Sequence, residues 1–257
     1  MMKDINQLVR ENFETISLSE MDSVKLMDRM DSKYVFRIAQ LSQVFEKIKG
    51  KYRVLEVENT CSSRYETLYY DTQDLELYHK HLTKRVNRHK IRSRNYVESG
   101  INFLEVKLKN SRGRTVKKRI KIDEIRNSFD KGYTQGDFLT IETGYDSEKF
   151  YPQFWVNYTR ITLVNLEGKE RCTIDLNLQF LKGASVVDYS FLVILELKQE
   201  KSNGSAISSL MKELGIREGG LSKYCLGVIS HNPDVRINSF KPKLSIINKL
   251  RENEIYA

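Results

Sequence analysis

Proline is scarce in this chain, three residues in 257, and no Pro-rich or Ser/Gly-rich stretch divides it. Without a linker, residues 1–257 are expected to form a single domain. Cysteine is equally scarce: Cys61, Cys172 and Cys225 stand apart, with no C-x-x-C pair. An odd, scattered set argues against a disulfide framework and predicts reduced, buried thiols. Long apolar runs are missing too. The longest, FLVIL at 191–195, is far short of the roughly 20 residues that span a bilayer. The N-terminal MMKDINQLVRENFETISLSE carries charges throughout and no apolar h-region, so a soluble, cytoplasmic protein is the expectation. No Ser-His-Asp or Cys-His-Asn order can be assembled. His79 and His81, two residues apart, do not share a helix face and read as solvated.

What is present is charge, on a chain whose 40% hydrophobic content permits a real core. Lys and Arg number 43 against 34 Asp and Glu, a formal +9, which biases partners toward polyanions. Helical spacing of apolar residues marks 2–14, 39–49, 71–82, 205–214 and 222–230, with Ser222 placed to cap the last. KLSIINKLRENEIY, within 233–257, reads as a surface helix. Period-two alternation marks strands at 28–37, 63–70, 88–97, 101–109, 116–122, 154–164, 170–180 and 191–198. The loops ESGI and NSRGRT have glycine where a hairpin wants it. The fold class is therefore α+β, a large, mainly antiparallel sheet or β-barrel with surrounding helices; closed into a barrel of about eight strands, it could hold a ligand inside.

The strand faces carry the functional argument. In HKIRSRNY and the residue before it, Arg88, Lys90, Arg92, Arg94 and Tyr96 share one side. Residues two apart on a strand lie about 6.6 Å from one another, where like charges repel by roughly 2–3 kcal/mol at an effective dielectric near 20. Water or an anion must bathe that side. Other strands repeat the pattern: Glu105, Lys107 and Lys109; Lys117, Arg119 and Lys121; Tyr158 and Arg160; Arg171, Asp175 and Asn177; Glu196 and Lys198; Arg29, Asp31 and Lys33. A solvated face normally mixes the signs. If these faces converge inside a barrel, they line a cationic tunnel, and the helices cover the apolar outside. Glu105 reads as a second metal ligand or, the preferred reading, as the partner that orients Lys107; for Asp175 and Asn177, facing the same way as Arg171, a structural ion pair competes with a metal role.

The order R-x-D-x-K-Y at 29–34, YYDT at 69–72, R-x-R-x-Y at 92–96, E-x-K at 105–107, V-K-x-R at 116–119, Y-x-R at 158–160, E-x-K at 196–198 and S-K-Y at 222–224 resembles the VTC domain. That family is the polyphosphate polymerase domain of vacuolar transporter chaperone complexes, within the triphosphate tunnel metalloenzyme (CYTH-like) superfamily. The likeness spans about 22–231 and leaves 233–257 as a C-terminal helical extension.

The resemblance implies an ATP-dependent polyphosphate polymerase that transfers the γ-phosphate of ATP to a growing chain. By the same carry-over Arg92, Arg94, Lys107, Lys117, Arg160 and Lys223 clamp phosphates. Arg29, Lys33, Arg119, Tyr158, Lys198 and Ser222 contribute to substrate binding, and Glu196 holds Mn²⁺ or Mg²⁺. The implied partners are ATP and polyphosphate. Superfamily hydrolases open with E-x-E-x-K, where this chain has Arg29 and Asp31, which weighs against the alternative of an inorganic or nucleoside triphosphatase. A non-catalytic polyphosphate or nucleotide module is the other alternative. Single-stranded nucleic acid, stacking on Tyr96, Phe103 and Tyr158, is disfavoured by the mixed Glu/Lys faces. The resemblance sets an SPX-type sensor and a transmembrane segment beside the domain in eukaryotic complexes; neither is expected here, and if the product crosses a membrane the partner that moves it is expected to be a separate polypeptide.

Overall fold

A computed structural model describes residues 4–22, 29–167, 170–200 and 204–255. In chain order the elements are α1 (Ile5–Asn12), β1 (Glu14–Ile16), α2 (Leu18–Asp22), β2 (Arg29–Arg37), α3 (Leu41–Ile48), β3 (Tyr52–Leu55), β4 (Ser63–Asp71) and α4 (Glu76–Leu82). Next come β5 (Arg88–Tyr96), β6 (Ile101–Lys109), β7 (Thr115–Ile122), α5 (Thr134–Thr143), β8 (Tyr151–Asn165), β9 (Glu170–Lys182), β10 (Ser185–Tyr189) and β11 (Leu192–Glu200). The chain continues through α6 (Ala206–Glu213), α7 (Lys223–His231) and α8 (Lys241–Ile255). Among the described residues no helix is long and apolar enough to cross a membrane.

Eight strands form one path, β2-β11-β9-β8-β4-β5-β6-β7, and every pair along it is antiparallel. The sheet does not close, because β2 and β7 stand at its two ends. It does curl: at the start of α7, Ser222 accepts from Lys90 on β5 at 3.0 Å while the adjacent Lys223 meets Asp175 on β9, three strands along the path. In a flat sheet those strands would lie about 14 Å apart, at 4.7–4.9 Å per step. The rim of β2 is partly covered, since Tyr34 pairs with Glu218 and the Gly219 amide donates to the Lys33 carbonyl at 2.8 Å.

Alternation divides each strand between two environments. Phe36, Ile161, Leu163, Ile174, Val193 and Leu195 face outward and pack with Val44 and Phe45 of α3 and Ile207 and Met211 of α6. On the other half of the sheet, Leu68, Tyr70, Ile91, Leu104 and Val106 are covered by Leu77 of α4 and Leu139 of α5. The apolar faces thus point out and the polar faces in, as the tunnel reading requires.

One end of the interior is filled. Phe154 and Val156, on the side of β8 that carries Arg160, pack against Tyr224, Cys225 and Val228 of α7. A bulge makes this possible: Asn177 sits at φ +52 where the β8–β9 register shifts. The extra residue turns Leu178 and Phe180 toward α7 and leaves Asn177 exposed, which corrects its expected place beside Asp175.

Asp71 anchors two helices. Its carboxylate, 0% exposed, accepts from the Leu77 and Tyr78 amides at the start of α4 and from the Tyr224 hydroxyl. The YYDT motif is therefore a structural joint. Five elements escape the sequence reading: β1, α2, β3, β10 and α5. The first four are short, and TQGDFLTIET in α5 has no apolar stripe. Helix α5 packs closely because Gly136 has no side chain; a Cβ there would stand 2.2 Å from the Asp130 carbonyl oxygen. Helix α8 is present, but it is not merely a surface helix, since Ile247 is 3% exposed. All three cysteines are buried and free.

Candidate functional site

Inside the curl, three carboxylates each stand between two cations. Glu105, wholly buried, receives Arg92 at 2.6 Å and Lys117 from the next strand. Burial alone would raise the Glu105 carboxyl; Arg92, Arg94 and Lys117 outweigh it and hold the group well below the carboxylate range. Asp175 accepts a bidentate pair from Arg160, at 2.6 and 2.8 Å, and a further contact from Lys223 at the start of α7. Its acidity follows the same contest, burial against two cations, and the cations win. Glu196 is held by Lys33 at 2.8 Å and by Lys198, which also reaches Asp31 at 3.2 Å.

Arg94, Lys90 and Lys107 have no carboxylate in an ion pair with them among the described residues. Arg94 is 5% exposed; its Nε donates to Thr67 Oγ1 at 3.3 Å and its guanidinium lies 5.2 Å from the Tyr65 ring centre. Tyr65 and Tyr158 stack at 5.2 Å and 9°, and Arg160 and Lys223 also lie over the Tyr158 ring. The Tyr158 hydroxyl is buried and has no hydrogen-bond partner among the described residues. Lys90 donates to Ser222 Oγ at 3.0 Å, and the same oxygen accepts from the Cys225 amide, capping α7. Lys107 has no ion-pair partner among the described residues. Burial, together with Arg92, Lys117 and Lys90 and against the pull of Glu196, brings its ammonium down to about 7.

The structure gathers most of the expected site residues: Lys33, Arg92, Arg94, Lys107, Lys117, Tyr158, Arg160, Glu196, Lys198, Ser222 and Lys223 share one lining. Arg119 stands on exposed β7, 4.4 Å over the Phe103 ring. The Arg29 side chain lies outside the described residues. Two expectations need correction. Glu105 engages Arg92 and Lys117 rather than orienting Lys107, because alternate residues on one strand lean apart toward their cross-strand neighbours. His81 is not solvated: its Nε2 meets the His89 carbonyl oxygen at 2.9 Å, and burial, then Lys90, lowers it to about 3. Tyr65 and Thr67 were missed; the alternation Tyr65, Thr67, Tyr69 in SRYETLYY was their signal.

Whether these residues suit a divalent cation can be tested from the donors. Among the described residues no group of three His, Cys, Asp or Glu side chains could hold a metal ion. Glu196 is one hard oxygen donor, 27% exposed, beside cations that would hold phosphates. Mg²⁺-like ions bind through one or two carboxylates plus substrate phosphates, keeping several waters. Glu196 fits that shared mode and does not make an all-protein cage.

Solved structures with a related course of chain include a candidate adenylate cyclase from Vibrio parahaemolyticus, 13% identical, covering 79% of this chain and 99% of that one at a TM-score of 0.45. A candidate adenylyl cyclase from Hippeastrum, described as having a dominant triphosphatase activity, is 16% identical over 77% and 95% at 0.46. A Pyrococcus horikoshii protein is 14% identical over 79% and 98% at 0.45. No curated protein matches the sequence. The family model of the VTC domain matches residues 28–232, most of the chain. With that match across the strands that line the interior, the chain belongs to the VTC domain family.

Proposed function

We propose that this chain is an ATP–polyphosphate phosphotransferase that lengthens polyphosphate from ATP inside the curled sheet. The observation that carries the reading is the lining: cations from β2, β5, β6, β7, β8, β11 and α7 converge on one interior. The family match supports it.

In the proposed reaction the terminal oxygen of a phosphate chain attacks the γ-phosphorus of ATP, the bond to the β–γ bridging oxygen breaks, and ADP leaves. No protein nucleophile is needed, only alignment and stabilisation of charge. Arg92, Arg94, Lys107 and Lys117 on adjacent strands would hold one run of phosphates in line. Arg160 and Lys223 would hold the next, with the free α7 amides adding positive dipole. The Tyr158 hydroxyl, unpartnered and buried, would donate to a phosphate oxygen. Glu196 would hold a Mn²⁺ or Mg²⁺ ion, whose chemistry when bound is to neutralise the transferring phosphate oxygens.

The test is to incubate purified protein with ATP and Mn²⁺ and assay polymer, ADP and phosphate. Long-chain polyphosphate with matching ADP is the expected result. ADP and free phosphate without polymer would make the protein a triphosphatase, and tight polyphosphate binding without turnover would make it a binding module.

A further inference from the structure

We infer that Lys33 and Lys198 guard Glu196, so that the empty tunnel refuses a bare divalent cation and metal enters only as a complex with the polyanion. This rests on the phosphate-tunnel reading and adds an order of binding to it. Both lysines meet the same oxygen, Glu196 Oε1, and Lys198 is itself steadied by Asp31. A divalent ion arriving alone would have to displace two ammonium groups and then sit beside them with few protein oxygens to complete its shell.

A polyphosphate changes each of those terms. Its oxygens are better partners for the two lysines than one shared carboxylate, and they supply the ligands that the protein lacks. Drawing Lys33 and Lys198 onto phosphate uncovers Glu196 at the moment the metal, already on the phosphates, comes within reach. The other lumen carboxylates reinforce the point: Glu105 and Asp175 are each held by two cations. Neither is free to take up a metal in place of Glu196.

Equilibrium dialysis reads this directly, as Mn²⁺ retained with the protein. The wild type is expected to retain none specifically from Mn²⁺ alone, and to retain it when tripolyphosphate is added. Glu196→Gln should lower that retention about tenfold, while tripolyphosphate binding in EDTA persists and tightens, because Lys33 and Lys198 no longer have to leave a carboxylate. The double variant Lys33→Met with Lys198→Met should gain affinity for Mn²⁺ alone, which a merely structural pair of lysines would not produce. Glu196-dependent retention of Mn²⁺ by the wild type without polyanion overturns the inference, as does a double variant that gains nothing. Retention with tripolyphosphate that Glu196→Gln does not alter also overturns it. Failure of tripolyphosphate to bind the wild type in EDTA is a different result, and it overturns the tunnel reading itself.

Discussion

The Tyr224 hydroxyl donates a hydrogen bond to the Asp71 carboxylate, joining the helix that fills one end of the lumen to the start of α4. Asp71 also accepts from the amides of Thr72 at 2.7 Å, Leu77 at 2.9 Å and Tyr78 at 3.0 Å. Burial still lifts its carboxyl above the usual range, because these donors only partly replace water. The residue therefore positions α4 and α7 together, and through α7 it sets where Lys223 enters the lumen.

Removing one donor should be tolerated and removing the acceptor should not. Tyr224→Phe is expected to lower unfolding stability by about 1–2 kcal/mol, the cost of a buried hydrogen bond to a charged group. Asp71→Ala strands three buried amides and the tyrosine hydroxyl, and should cost about 3 kcal/mol or more. Urea denaturation of both variants checks the ranking; equal losses would mean that Asp71 matters only through Tyr224.

The architecture was legible because alternation is a strong signal. Path strands are visible as a charged or polar face opposite an apolar one, as in Glu105 and Lys107 against Leu104, Val106 and Leu108. Pairing within a strand face was not legible, because sequence does not say which cross-strand neighbour a side chain leans toward. Glu105 could reach Lys107, Arg92 or Lys117, and three-dimensional placement selects the last two. The bulge at Asn177 was hidden for a related reason: one inserted residue reverses the facing of Leu178 and Phe180 without breaking the local pattern. Helix α5 lacks a stripe, since Leu139 and the close approach at Gly136 seat it rather than a run of apolar residues at helical spacing.

Arg92 and Arg94 sit two residues apart on β5, and their loss should have unequal consequences for the empty protein. Arg92→Ala leaves the buried Glu105 with Lys117 alone, a partly broken ion pair, and should destabilise by about 2–4 kcal/mol. Arg94 makes no ion pair among the described residues; it meets Thr67 and the tyrosine rings and supports Glu105 only at longer range, so Arg94→Ala should cost less than Arg92→Ala, about 1–2 kcal/mol. Both should weaken polyphosphate binding. Thermal melts with and without polyphosphate separate the cases, and a strongly destabilised Arg94→Ala would count against the charge balance described for this face.

Gly227, in the middle of α7, is demanded by contact. A Cβ at that position would stand 2.2 Å from Phe154 Cε2 and 2.5 Å from Cζ. Gly227→Ala should therefore push α7 off the sheet and cost about 1–3 kcal/mol of overpacking, despite the better helix propensity of alanine. Shrinking the opposing ring should restore most of the loss, so Gly227→Ala combined with Phe154→Leu is expected to be more stable than Gly227→Ala alone. A melt in which the second change adds to the damage would show that the ring is not the obstacle.

Lys107 should make the proposed polyanion binding depend on pH in a direction that its surroundings dictate. In the empty protein its ammonium titrates near 7, against about 10.4 in an unfolded chain. Between those values the unfolded chain holds more protons, so this group makes the empty fold more stable as pH rises. A bound polyanion offsets the repulsion from Arg92, Lys117 and Lys90, which restores the charge and takes up a proton. At pH 8 without metal, tripolyphosphate binding should carry an uptake from Lys107 of about 0.9 proton, and affinity should fall as pH rises above neutrality. Isothermal titration in buffers of different ionisation enthalpy measures the uptake, and Lys107→Met should remove that increment while leaving the ligand's own proton exchange in place. Identical proton uptake in the wild type and Lys107→Met would mean that Lys107 is already charged in the empty tunnel, and the pH dependence would then have to come from Lys117 or Lys223, both also lowered by burial.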